Sequence, residues 1–185
     1  MSYNSSYLID VIDPAKGRRT LKAFIAYIKA SKVQFDTVIC RGVSGLLVAP
    51  AVAQSLKKHL IVVRKQDGNH SGALLEGFRD AKRFIIVDDF ICSGNTIREQ
   101  LNAMANGQSG AQCVGIFCYR SSKESNFDYT RPNESHASIN CYSMWPRDDG
   151  QFKYYPEFPK VIRRKKAIEV ASEILSQMAL SLAEA

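Results

Sequence analysis

The chain has 185 residues, 45% of them hydrophobic, with a formal charge of +7 and a pI near 9.2. That is enough apolar material for one domain with a real core, and it argues against disorder; the cationic excess favours an anionic partner, which a phosphate-rich small molecule and a nucleic acid satisfy equally. No apolar run long enough to span a bilayer and no basic-then-apolar leader is present, so the expectation is a cytoplasmic protein with no membrane partner. In chain order, Leu21, Phe24, Ile25 and Ile28 recur at helical spacing and predict a first helix over 18–31. A strand at 36–40 then leads through R-G-V-S-G into a helix near 45–58. The strand 60–64 runs into a polar, glycine-bearing loop, and 83–89 reads as the next strand. Ile97, Leu101, Met104 and Ala105 mark a helix that N-G-Q-S-G ends at 106–110, before a strand at 112–119.

Repeated strand–helix alternation predicts a parallel sheet with right-handed crossovers. Residues 120–160 break the rhythm with four prolines and clustered aromatics, leaving one further strand expected near 138–144. A last helix over about 165–183 carries Ile168, Ala171, Leu175, Met178 and Leu182 on one face. The five cysteines, Cys40, Cys92, Cys113, Cys118 and Cys141, form no C-x-x-C pair; they read as reduced and structural, with Cys92 the one to watch.

Residues 84–97, F-I-I-V-D-D-F-I-C-S-G-N-T-I, carry the most information. Phe84 to Val87 lack polar alternation, as a strand buried on both faces does, so Asp88 and Asp89 fall at its carboxyl end. Ligands of open α/β sheets bind at that edge, and adjacent carboxylates can accept hydrogen bonds from vicinal sugar hydroxyls. Ser93, Gly94, Asn95 and Thr96 then offer backbone N–H groups, hydroxyls and a helix start, which suits a phosphate. A bare strand end, turn and cap would also contain such residues, but not this whole combination in order. Arg41 and Gly42 should reach the same edge, with a forked cation suited to phosphate.

The 84–97 segment resembles the phosphoribosyl pyrophosphate (PRPP) signature of the type I phosphoribosyltransferases. The resemblance covers about residues 35–120. It implies an α/β fold with a three-layer core, a central parallel sheet flanked by helices, and a hood and helix region after it: one domain over 1–185, with the core at about 18–120 and the remainder at about 121–185. It also implies that Asp88 and Asp89 hold the ribose hydroxyls and, through PRPP and water, Mg²⁺; that Cys92, Ser93, Gly94, Asn95 and Thr96 hold the 5'-phosphate; and that Arg41, Gly42 and Lys65 hold pyrophosphate, in a family whose Arg-Gly loop often carries a cis peptide. Phe90 and Cys92 depart from the family's habit, and Cys92 argues against the hypoxanthine-guanine members. The loop after the second strand is similar to that of the orotate enzymes, R-K-x-x-K-x-H-G, with Arg64, Lys65, His70, Gly72, Glu76 and Gly77 in register. Gly68 stands where those enzymes carry their main lid lysine, and Ser71 replaces a glycine. Arg64 and His70 join Asp88 and Asp89 as the catalytic candidates, His70 also reading as a solvated loop residue.

Trp145 is the candidate for stacking on a base, with an edge plug or a dimer contact as its other readings. Arg163, Arg164, Lys165 and Lys166 place four cations at the start of the last helix, against its dipole. Nucleic acid, an acidic subunit surface and plain solvation all fit them. The function expected from the resemblance is transfer of the phosphoribosyl group of PRPP to a nitrogenous base with release of pyrophosphate, in a homodimer. The alternative is a catalytically weak PRPP- or nucleotide-binding regulator or effector that contacts nucleic acid.

Overall fold

The computed structural model describes residues 7–65, 72–120, 126–130, 136–147 and 149–158. The expected last helix, the Arg163–Lys166 run, Gly68 and His70 lie outside these residues. The described chain opens with a short helix α1 (Ile9–Ile12) and a long helix α2 (Pro14–Ser31). The Asp13 carboxylate accepts from the N–H groups of Ala15 and Lys16 at 3.0 and 2.8 Å, and Pro14 stands at the first helical position. This cap starts α2 at Pro14, four residues before the expected start at 18, because the polar first turn carries no hydrophobic signal. Strand β1 (Thr37–Arg41) follows. The single helix expected near 45–58 is two, α3 (Gly42–Leu46) and α4 (Ala49–Leu56), with Pro50 in the first turn of the second.

Strands β2 (His59–Val63), β3 (Leu75–Gly77) and β4 (Arg83–Asp88) come next, then α5 (Asn95–Gly107) and β5 (Gln112–Cys118). The segment expected to hold one strand holds three among the described residues: β6 (Asn126–Thr130), β7 (His136–Pro146) and β8 (Phe152–Tyr155). The sheet order is β3-β2-β1-β4-β5-β7-β6, with β8 paired to β7. Strands β2, β1, β4, β5 and β7 are mutually parallel, whereas β3, β6 and β8 join antiparallel. The sheet is therefore mixed, its antiparallel additions lying outside the strand–helix alternation that predicted a parallel one.

Successive strand residues face opposite layers. Val38, Cys40, Ile85, Val87 and Phe117 pack with Phe24, Tyr27 and Ile28 of α2 and Val52 of α4. Ile39, Ile61, Phe84, Ile86 and Ile116 pack with Ile97, Leu101 and Met104 of α5. This two-sided burial explains why β4 reads as an unbroken apolar run, and it gives the three-layer α/β arrangement.

Candidate functional site

β1 and β4 are adjacent and parallel, so their carboxyl ends and the turns after them lie on one edge of the sheet. A cavity of about 410 Å³ opens there, lined by Arg41, Gly42, Ser44, Lys65, Asp88, Asp89, Cys92, Ser93, Gly94 and Thr96 among others. Nine candidates from three separate segments of the chain thus share one hollow. A second cavity, about 460 Å³, is lined by Arg41, Arg64, Lys65 and Glu99, so Arg41 and Lys65 border both. A larger cavity, about 670 Å³, lies along β3 between Leu75, Phe78 and Gly107 and contains none of the candidate residues.

Asp88 ends β4 nearly enclosed. Its Oδ1 accepts the Ser44 hydroxyl at 3.0 Å and the Asp89 N–H at 2.9 Å. Ser44 reaches it because Gly45 lets α3 close on the sheet: a Cβ there would stand 2.9 Å from Cys40 Cβ and 3.2 Å from the Val87 carbonyl. The Tyr119 hydroxyl donates to the Ser44 carbonyl at 2.9 Å and holds the same turn. Burial, followed by the neighbouring Asp89, pushes the Asp88 carboxyl up to about 7. Burial pushes the nearby Cys40 thiol up to about 12, with Asp88 adding to it, which marks Cys40 as an unreactive core residue.

Beyond Asp89 the chain turns through Cys92 and Ser93 into Gly94, whose φ of 75° lies in the left-handed region and starts α5. A Cβ at Gly94 would stand 2.6 Å from the Phe127 ring, so the turn needs glycine for both conformation and space. Arg98 braces it, donating to the Ser93 carbonyl at 2.9 Å with its guanidinium 5.1 Å from the Phe127 ring centroid. Asn95 begins α5 and is exposed, its N–H 3.4 Å from the Ser93 hydroxyl. Cys92 is an exposed free thiol, while Cys40, Cys118 and Cys141 are buried.

Arg41 pairs with Glu99 of α5, and its Nε is buried without a hydrogen-bond partner. Gly42 takes φ 69°, and the cis peptide among the described residues is Tyr155–Pro156, so the Arg41–Gly42 bond is trans here. Arg64 Nη1 donates to Glu76 at 2.7 Å. Trp145 lies near the end of β7 with Lys153 Nζ 5.3 Å from its ring centroid, and it does not line the cavity at Asp88. Tyr7, Ser44, Glu99 and Arg120 also belong to the site. Tyr7 donates to Asp89, Arg120 donates to the Tyr7 carbonyl, and the Arg120 backbone N–H donates to the Asp89 carbonyl at 2.8 Å. Only the position of Arg120 after an apolar strand could have signalled it; nothing in the sequence singles out Tyr7.

Chemically, the edge offers two carboxylates, a glycine turn at a helix start and a row of cations. Mg²⁺ prefers one or two carboxylates plus substrate oxygens and water to an all-protein cage. Asp88 and Asp89 fit that demand, and among the described residues no group of three or more His, Cys, Asp and Glu forms a closed metal site.

The family model described as "Phosphoribosyl transferase domain" matches residues 16–130, from α2 through β6. The chain belongs to that family. It is similar to the orotate phosphoribosyltransferase of Coxiella burnetii, 28% identical over 134 residues that cover 71% of this chain and 61% of the relative. It is also similar to the transcriptional regulator GfcR of Methanocaldococcus jannaschii, 26% identical over 107 residues, 54% of this chain and 43% of that one. The chain thus spans less than two thirds of either relative's length. The crystal structure of the orotate phosphoribosyltransferase of Francisella tularensis superposes with a TM-score of 0.50 at 15% identity, covering 63% of this chain and 56% of that one, a likeness of fold. β7 and β8 follow the segment matched to the phosphoribosyl transferase family.

Proposed function

We propose that this chain is a Mg²⁺-dependent phosphoribosyltransferase that joins a nitrogenous base to the ribosyl carbon of PRPP and releases pyrophosphate. The observation that carries the reading is the convergence of Asp88, Asp89, Ser93, Gly94, Thr96, Arg41 and Lys65 on one cavity at the carboxyl edge of the sheet. Asp88 and Asp89 accept the ribose hydroxyls, and the turn Cys92–Thr96 takes the 5'-phosphate. Arg41, Gly42 and Lys65 neutralise pyrophosphate where the two cavities meet, as it gains charge on leaving. Arg64 and His70 serve the lid that excludes water from the cationic ribosyl centre. Asp88 and Asp89 would hold Mg²⁺ through PRPP and water, and the ion would supply charge neutralisation at the leaving group. Trp145, near the end of β7 and outside the cavity at Asp88, is the proposed stacking partner for a base that projects beyond that cavity.

In this reading residues 1–185 act as one domain, in a homodimer in the cytoplasm and within nucleotide metabolism. Among the described residues no helix is long and apolar enough to cross a membrane. Incubation with PRPP, Mg²⁺ and a panel of purine, pyrimidine and orotate acceptors should release pyrophosphate with at least one of them. Absence of turnover with every base, alongside retained PRPP binding, would reject the enzymatic reading.

That last outcome would favour a second one, a PRPP- or nucleotide-responsive regulator. Its support is the similarity to a transcriptional regulator together with Gly68 at the lid-lysine position. Arg163, Arg164, Lys165 and Lys166 are then the contacts to nucleic acid. Gel shifts across a salt series test it: binding must weaken steeply with added salt, and Arg163→Ala with Arg164→Ala must flatten that slope.

A further inference from the structure

Tyr7 enters the proposed diol site from eighty-two residues earlier in the chain. Its hydroxyl donates to Asp89 Oδ2. Asp88 Oδ1 is already taken by Ser44 and by the Asp89 N–H, whereas Asp89 Oδ2 meets Tyr7 in the cavity that both residues line. A phenol presents the same donor group to a carboxylate as a ribose hydroxyl does. Its backbone and ring are held at the mouth of the site by further contacts. Arg120 donates to the Tyr7 carbonyl, its guanidinium lies 4.9 Å from the Tyr7 ring centroid, and Phe90 meets the ring edge-on at 5.9 Å and 71°.

The segment behind Tyr7 is weakly capped and partly exposed. α1 is a single turn whose preceding residue, Leu8, supplies no side-chain cap, and Tyr7, Ile9 and Ile12 are 40%, 42% and 59% exposed. Neither Tyr7 nor Leu8 is fully buried, so their release uncovers little of the core, while Val11 packs against the α2 side of the core and holds the turn behind them. The movement stops short of Asp13, whose capping bonds belong to α2 and are untouched by it.

We propose that Tyr7 is an internal competitor for the ribose diol: without ligand its hydroxyl occupies the acceptor on Asp89, and PRPP binds only as Tyr7 withdraws. This rests on the reading of the cavity as a PRPP site and adds a regulatory element to it, since anything that sequesters the segment before Asp13 raises affinity at Asp89.

Titration calorimetry of the full chain with PRPP and Mg²⁺ tests it, comparing wild type, Tyr7→Phe and Tyr7→Ala. Losing a hydrogen bond to a charged acceptor predicts tightening of roughly ten- to a hundredfold in both variants. In parallel, chain labelled with 3-fluorotyrosine gives a ¹⁹F resonance for Tyr7, assigned by its loss in Tyr7→Phe. That resonance is expected to shift in Asp89→Asn without ligand and to move towards the solvent-exposed position when PRPP is added to wild type. Unchanged or weaker PRPP affinity in both variants overturns the competitor while leaving the PRPP site intact. A Tyr7 resonance indifferent to Asp89→Asn overturns it directly. Failure of every form to bind PRPP rejects the reading of the cavity, and the competitor with it.

Discussion

Residues 37–118 and residues 126–155 contribute to the same sheet, but they are built on opposite terms. In the first stretch β1, β2, β4 and β5 run parallel between two helical layers, and Ile39, Ile61, Ile85, Ile86 and Ile116 are fully enclosed. In the second, β6 and β8 pair antiparallel with β7; β6 alternates between buried and exposed residues, and β8 between half-buried and exposed ones. The parallel half needs helices on both sides, so apolar residues must occupy both faces. The antiparallel additions each pair with β7 and need only one apolar face. Stability is thus concentrated in the half that presents the site, while the other half closes its far edge.

The sharpest test of that contrast is Ile86→Ala in β4 against Tyr155→Ala in β8. Loss of a fully buried isoleucine should cost about 3–4 kcal/mol, whereas Tyr155, 48% exposed, should cost under about 1 kcal/mol by urea denaturation. Equal costs would break the comparison.

The two halves meet at Gly94, which abuts Phe127 of β6. Gly94→Ala should destabilise by about 2 kcal/mol, through a positive φ and the crowded ring. In the double variant with Phe127→Ala, part of that cost should vanish, since the two residues touch. Strict additivity in a double-mutant cycle would show that the strain is confined to the backbone.

A somewhat smaller effect, dependent on pH, comes from Asp88. Its folded pKa is raised by burial above the unfolded value, so the folded state holds this proton more tightly. The resulting stability is fully present below about pH 4 and is lost as the pH rises through about 7. Asp88→Asn, which keeps an oxygen for Ser44 and the Asp89 N–H, should therefore stabilise the fold at pH 8.5 by on the order of 1–2 kcal/mol and change little at pH 4. Thermal melts at both values check the sign. The smallest effect belongs to Cys92→Ser, an exposed position that should shift stability by under about 0.5 kcal/mol.

How much was legible follows the same division. The run Phe84–Val87 and the pair after it could be read because burial on both faces leaves an apolar signature in four consecutive residues. The edge of the sheet that Asp88 and Asp89 reach then follows from strand direction. β6 and β8 were not legible: N-F-D-Y-T and F-K-Y-Y are short, half-polar and set among prolines, and their pairing partner decides them. The early start of α2 was hidden for a related reason, its first turn being held by a cap and not by an apolar face.

Local chemistry therefore determined the core strands, the order strand–acids–turn–helix at 84–97, and the cationic loop at Arg41–Gly42, because each depends on residues adjacent in the chain. Tertiary structure alone decided that Ser44 meets Asp88, that Glu99 takes Arg41, and that Tyr7, eighty-two residues away, donates to Asp89. A hydrogen bond needs its partners within about 3 Å, and only the packed sheet and helices bring such distant positions that close.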